Sequence, residues 1–156
     1  MIKINLICMG DIKEKFYRDA VNEYLKRLSR FALVKVVELK ENVARTSSEN
    51  DILTALKKDA QEIKKHISGY PICLDILGSS YTSEGFSKKI EKLSLTNSEI
   101  SFIIGASNGI DSEIKAMCKE KISFSPLTFP HQLMRVIFLE QLYRAFTILN
   151  NTPYHK

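Results

Sequence analysis

The chain has 156 residues, a single-domain length whose core can bury roughly 68–70% of the unfolded surface. Hydrophobic residues make up 44% and charged residues 26%, a globular balance that excludes a disordered or fibrous chain. The net charge of +5 favours a polyanionic partner without requiring one, and no apolar run approaches the roughly 20 residues of a membrane span.

The first residues, Met-Ile-Lys-Ile-Asn-Leu-Ile-Cys-Met-Gly, are too short and strand-like for a signal peptide, so a cytoplasmic protein is expected. Cys8, Cys73 and Cys118 are odd in number and set among apolar neighbours. They fit reduced thiols, with no metal-binding or redox spacing.

In chain order, Ile2 to Met9 is a strand closed by Gly10. Lys13 to Ser29 switches to helical spacing, with Phe16, Ala20, Val21, Tyr24, Leu25 and Leu28 on one face and a net-basic face opposite. Ala32 to Leu39 is a valine-rich second strand, and Glu41 to Glu49 is a polar loop without visible chemistry. A helix follows from Asp51 to Ile67, capped by Ser47 or Ser48 and stopped by Gly69. Tyr70 to Leu77 is the third strand, ended by Gly78, with a helix opened by Ser83 and Glu84 after it. Ile100 to Ile104 is the fourth strand, leading into Gly105-Ala-Ser-Asn-Gly109. Asp111 to Lys119 is helical, and Lys121 to Phe124 forms a short fifth strand. Thr128 is a plausible cap and Pro130 a first-turn residue for the last helix. From Leu133 to Leu149 that helix is apolar on nearly every face, so it needs more than one burying surface, for which a second copy of the chain is one candidate. Strands alternate with helices and no hairpin signal occurs. The expectation is one α/β domain over residues 1–156, with a mostly parallel sheet of five to six strands and helices on both faces.

In such a sheet ligands bind outside the carboxyl ends of the strands, where Leu77-Gly78, Gly105 to Gly109 and Ser125 to Pro130 fall. Gly-Ala-Ser-Asn-Gly matches neither a dinucleotide fingerprint nor a P-loop, and alone it is equally a plain strand-to-helix turn. No nucleophile elbow, HExxH or tight carboxylate pair is present. His131 and Arg135 share one helix face, while His66 reads as exposed. The terminal Pro-Tyr-His-Lys joins an aromatic, an imidazole and a cation in what is by default a frayed tail.

Ile4-Asn-Leu-Ile-Cys-Met-Gly-Asp-Ile-Lys-Glu-Lys, Phe102-Ile-Ile-Gly-Ala-Ser-Asn-Gly109, Thr128-Phe-Pro-His-Gln-Leu-Met-Arg-Val, Glu140-Gln-Leu-Tyr-Arg-Ala-Phe and the terminal Pro-Tyr-His-Lys stand in order along the chain. Together they resemble the RlmH (formerly YbeA) family of the SPOUT superfamily. The departure is Ala106, where the family commonly has a second glycine; a positive φ would strain alanine there. The resemblance implies a C-terminal trefoil knot and a homodimer. It also implies S-adenosylmethionine-dependent methylation of N3 of a pseudouridine (position 1915 type) in helix 69 of 23S rRNA, on the assembled 70S ribosome and without a metal. Carried over, it places the cofactor at Leu74, Gly105, Phe124, Ser125, Pro126, Leu127, Thr128 and Phe129. Candidates for the catalytic, RNA-facing side are His131, Arg135, Tyr154, His155 and Lys156. Glu140 and Arg144, spaced i,i+4, are expected to pair with each other. A ribosome-binding factor that kept the fold without the chemistry is the alternative.

Overall fold

The computed structural model describes residues 1–156. Its elements are β1 (Lys3–Met9), α1 (Lys15–Leu28), β2 (Leu33–Leu39), α2 (Glu49–His66), β3 (Tyr70–Ser80), α3 (Ser83–Thr96), β4 (Glu99–Ile104), α4 (Ser112–Met117), β5 (Glu120–Ser123) and α5 (His131–Leu149). The five strands form one sheet in the order β2-β1-β4-β3-β5, and every pair is parallel.

Alternation along the central strands divides the core. Ile4, Leu6 and Cys8 of β1, with Ile100, Phe102 and Ile104 of β4, face a cluster that includes Val21, Phe86, Ile90, Phe138 and Leu142 of α1, α3 and α5. Ile7, Met9 and Ile103 point the other way, onto Ala60, Ile63 and Ile114 of α2 and α4. Side chains one residue apart lie on opposite sheet faces, so strands covered on both sides must be apolar throughout.

Local chemistry sets the element ends. Ser48, one of two serines expected to cap α2, accepts from the Asp51 N–H at 3.3 Å. Thr82 does the same for α3 through Gly85, at 3.0 Å. Pro130 stands one position earlier than expected, at the N-cap of α5, and neither it nor Thr128 supplies a side-chain cap. Phe16, expected to face inward, is 63% exposed.

α5 settles between α1 and α3. Phe138, Leu139, Leu142 and Ala145 are buried there, Phe31 stacks on Phe146, and Ser87 donates to the Ala145 carbonyl at 2.9 Å. Two neighbouring helices and the sheet therefore supply much of the covering that its all-round apolarity demands.

β3 departs from expectation. It does not stop at Gly78 but continues to Ser80. Leu74 and Ser79 both pair with Ile122 of β5, so the residues between them bulge out of register. Gly78 makes this possible, because a Cβ there would lie 2.6 Å from the Lys121 carbonyl carbon and 2.7 Å from the Ile122 nitrogen. Overpacking of this kind costs about 1–3 kcal/mol. Gly78→Ala is expected to lower the free energy of unfolding by that amount, read in urea titration as a lower midpoint with the slope unchanged.

Candidate functional site

A cavity of about 240 Å³ opens at the carboxyl ends of β3, β4 and β5. Leu74 enters from β3, opposite Ile122 of β5, and Gly105 comes from the turn after β4. Phe124, Ser125, Leu127, Thr128 and Phe129 come from the segment joining β5 to α5, and His131 from the first turn of that helix. The walls are mostly apolar, as adenine-sized pockets require, and Ile104 and Ile110 complete them. Of the eight residues expected around a cofactor, seven line this space. Pro126 is exposed and is not among the lining residues.

The turn after β4 tolerates its alanine. Positive φ falls on Gly109, at 86°, and not on Ala106; the Ala106 carbonyl accepts from the Gly109 N–H at 2.9 Å. Gly105 has no room for a side chain, since its Cβ would stand 2.5 Å from the Gly109 oxygen. The segment before α5 is shaped by Ser125, whose hydroxyl accepts from the Leu127 N–H at 2.9 Å.

Arg135 lies one turn beyond His131 but does not share its surroundings. It is wholly buried, and its Nη2 donates to the Met9 and Gly10 carbonyls at 2.8 and 2.7 Å. Nε and Nη1 have no partner in the protein. The expectation of an RNA-facing Arg135 gives way to a fastening between α5 and the end of β1. Its charge still reaches the site. Burial first, then the nearby guanidinium, holds the His131 imidazole below its ordinary value, with Glu41 acting in the opposite sense. Glu41 Oε2 and His131 Nε2 approach the point where a Gly10 side chain would begin, at 3.6 and 3.7 Å.

The terminal residues are tied down against α3 and α5 and are absent from the cavity lining. Tyr154 packs edge-on against Tyr143 at 4.8 Å, with the Arg144 guanidinium 4.8 Å over its ring. The Tyr154 hydroxyl donates to Glu140 at 3.1 Å, and burial raises its pKa first of all. Glu140 and Arg144 form the expected ion pair. His155 engages Glu84 through Nε2 at 2.8 Å and Arg144 through Nδ1 at 3.2 Å. Lys156 is exposed.

Sequence reasoning missed three charged neighbours of the site. Asp75 and Lys115 line the cavity and pair at 3.1 Å, and Glu41 comes from a loop that showed no chemistry. A carboxylate inside the apolar run Leu-Asp-Ile was a signal for Asp75. Lys115 sits on a helix among other charges and Glu41 in a polar loop, so neither carried one.

The depressed His131 value has a measurable consequence. The unfolded imidazole, near its ordinary pKa of about 6.5, binds a proton where the native one does not. Stability is therefore unaffected above that value and declines as pH falls through it towards the native pKa. NMR titration should show His131 protonating below the ordinary value, lower still in Glu41→Gln. In His131→Asn this part of the acid destabilisation should vanish.

The family model described as predicted SPOUT methyltransferase matches residues 2–155. A chain from Methanococcus maripaludis is 46% identical over 159 residues, covering 99% of this chain and 100% of that one. Proteins named ribosomal RNA large subunit methyltransferase H are 45% identical in Fusobacterium nucleatum, over 99% of this chain and 100% of that one, and 43% identical in Caldicellulosiruptor saccharolyticus, over 98% and 99%. A solved methylase-family protein of Haemophilus influenzae shares the fold at a TM-score of 0.55 and 15% identity, covering 99% of this chain and 70% of that one. A methyltransferase of Legionella pneumophila, solved with SAM bound, does so at 0.52 and 12%, covering 93% and 66%. A family match from end to end, on an all-parallel sheet whose cavity gathers the loops after β4 and β5, places this chain in the SPOUT methyltransferase family.

Proposed function

We propose that this protein is an rRNA methyltransferase using S-adenosylmethionine, and that its target is N3 of a pseudouridine in helix 69 of 23S rRNA on the assembled 70S ribosome. The large-subunit rRNA methyltransferase names of relatives aligned over nearly the whole chain support the coarser half of this reading. The observation that carries it is the cavity itself. It joins Leu74, Gly105 and the Phe124–Phe129 segment to His131 in one space, with apolar walls and main-chain edges suited to an adenine. Because S-adenosylmethionine brings an already activated methyl group on a sulfonium, the residues here have positioning and a proton to manage.

Leu74, Phe124, Leu127 and Phe129 wall the adenosine, and the Gly105 turn lets main chain approach it closely. Alignment of two bound reactants supplies most of the acceleration in a direct transfer. His131 accepts the N3 proton. It lines the cavity, and the surroundings that depress its pKa keep it neutral at physiological pH. His155 suits this role less, because both ring nitrogens are engaged by Glu84 and Arg144. Tyr154, His155 and Lys156 form an RNA-side surface, with Tyr154 and His155 held in place by their contacts on α3 and α5. Exposed Lys13 and Lys15, and Lys57 and Lys58 of α2 on the other face of the sheet, supply further charge for rRNA phosphates.

The half-buried Leu133 and Ile137 face of α5 suits a homodimer. The close approach of β3 to β5 at Gly78 suits the knotted C-terminal arrangement of the family.

The test is incubation with labelled S-adenosylmethionine and unmodified 70S ribosomes, with 50S subunits alongside and the product nucleoside identified by mass spectrometry. Label on N3 of a helix 69 pseudouridine, preferentially in 70S particles, is the expected result. Cofactor binding without label would reject the target, and ribosome binding without cofactor binding would favour a non-catalytic ribosome factor. His131→Ala should reduce transfer by about two orders of magnitude while cofactor affinity is retained.

A further inference from the structure

The cavity has titratable side chains at two places only. His131 stands at one side, above Gly10 at the end of β1. Asp75 and Lys115 stand at the other, from β3 and α4. Strand order puts β4 between β1 and β3, so about two strand spacings, roughly 10 Å, separate the two places. Lys115 Nζ lies 3.1 Å from Asp75 Oδ2, and Asp75 Oδ1 accepts from the Leu77 N–H at 3.1 Å. Asp75 is thereby fixed at the root of the β3 bulge and holds the ammonium in place. An ammonium carries three donors; Asp75 takes one, and the lysine side chain remains 32% exposed. Burial works to raise the Asp75 carboxyl, but the Leu77 N–H, then Lys115 and Lys121, together hold it below its usual range.

We propose that the Asp75–Lys115 pair is the subsite for the amino-acid end of the methyl donor, with Lys115 receiving its α-carboxylate and Asp75 its α-ammonium. The proposal rests on the reading of the cavity as an S-adenosylmethionine site and adds to it the residues that select for the donor's charged arm. Every other wall is apolar, main-chain or uncharged, and two permanent opposite charges on a ligand are best met by a fixed pair of opposite charges. Anchoring that arm on the β3 side leaves the rest of the donor to extend across the Gly105 turn towards His131. The pair is then a specificity element, separating intact donor and its demethylated product from adenosine thioethers that lack the arm.

Calorimetric titration of the full chain with S-adenosylhomocysteine and with 5′-methylthioadenosine tests this without turnover. The two share adenosine and a thioether sulfur, and only the first carries the charged arm. Wild-type protein is expected to prefer S-adenosylhomocysteine by at least about tenfold, as for a charge-assisted contact. Lys115→Met should bring the preference to within about twofold while leaving 5′-methylthioadenosine affinity unchanged, and Lys115→Arg should keep most of it. Asp75→Asn should weaken the preference in the same direction. An unchanged preference in Lys115→Met, or equal weakening of both ligands, would overturn the subsite and leave the pair as a brace between β3 and α4. Equal binding of both ligands by wild type would overturn the subsite alone, whereas binding of neither would overturn the cofactor reading with it.

Discussion

A guanidinium sealed from solvent fixes the relation between the last helix and the first strand. Arg135 meets no carboxylate at hydrogen-bond distance; it is held instead by two main-chain carbonyls at the end of β1. Taking a charge out of water is costly unless the replacement contacts are good, so α5 has little freedom to slide along the sheet. A second clasp, from the Lys13 N–H to Gln132 Oε1 at 3.1 Å, ties the β1–α1 loop to the same end of the helix. Glu38 holds that loop from the other side, accepting from the Ile12 N–H and from Arg18. The charge that seats the helix also adds to the burial that depresses the imidazole one turn earlier, so architecture and proton affinity are linked.

The alternating pattern was legible because each strand–helix switch carries its own periodicity, and all ten elements lie close to where spacing places them. What failed to show was set by tertiary contact. Gly78 looked like a strand end because glycine usually marks one, yet here it permits two backbones to meet. Arg135 looked like half of a surface pair with His131, because helical spacing tells which residues share a face and not what covers it. Seven of the eight residues expected around a cofactor line one cavity, a grouping carried by motif resemblance and not by any physical signal in those residues. Asp75, Lys115 and Glu41 were invisible for the converse reason, being ordinary polar residues until the fold brings them to one rim.

The distant structural neighbours and the close sequence relatives speak to different levels of the molecule. At 12–15% identity the sheet and its crossovers persist while most side chains differ, so what is shared is a scaffold. At 43–46% over nearly the whole length the resemblance includes the loops at the carboxyl ends of the strands, where chemistry in this kind of sheet resides.

The central place of α5 bears on how the chain is made. The helix that completes the larger hydrophobic cluster comes after every strand in sequence. During synthesis the sheet can pair and α2 and α4 can cover one side while the opposite side, lined by Leu6, Phe102 and Ile90, still lacks its middle helix. An unclosed apolar trough of that kind invites self-association. The sheet order, in which no sequential strands except β1 and β2 or β3 and β4 are neighbours, adds slow, non-local pairing to the delay. A nascent chain of this protein therefore spends its most adhesive interval between the emergence of its strands and that of α5, and the segment that ends that interval is the one that also completes the cavity.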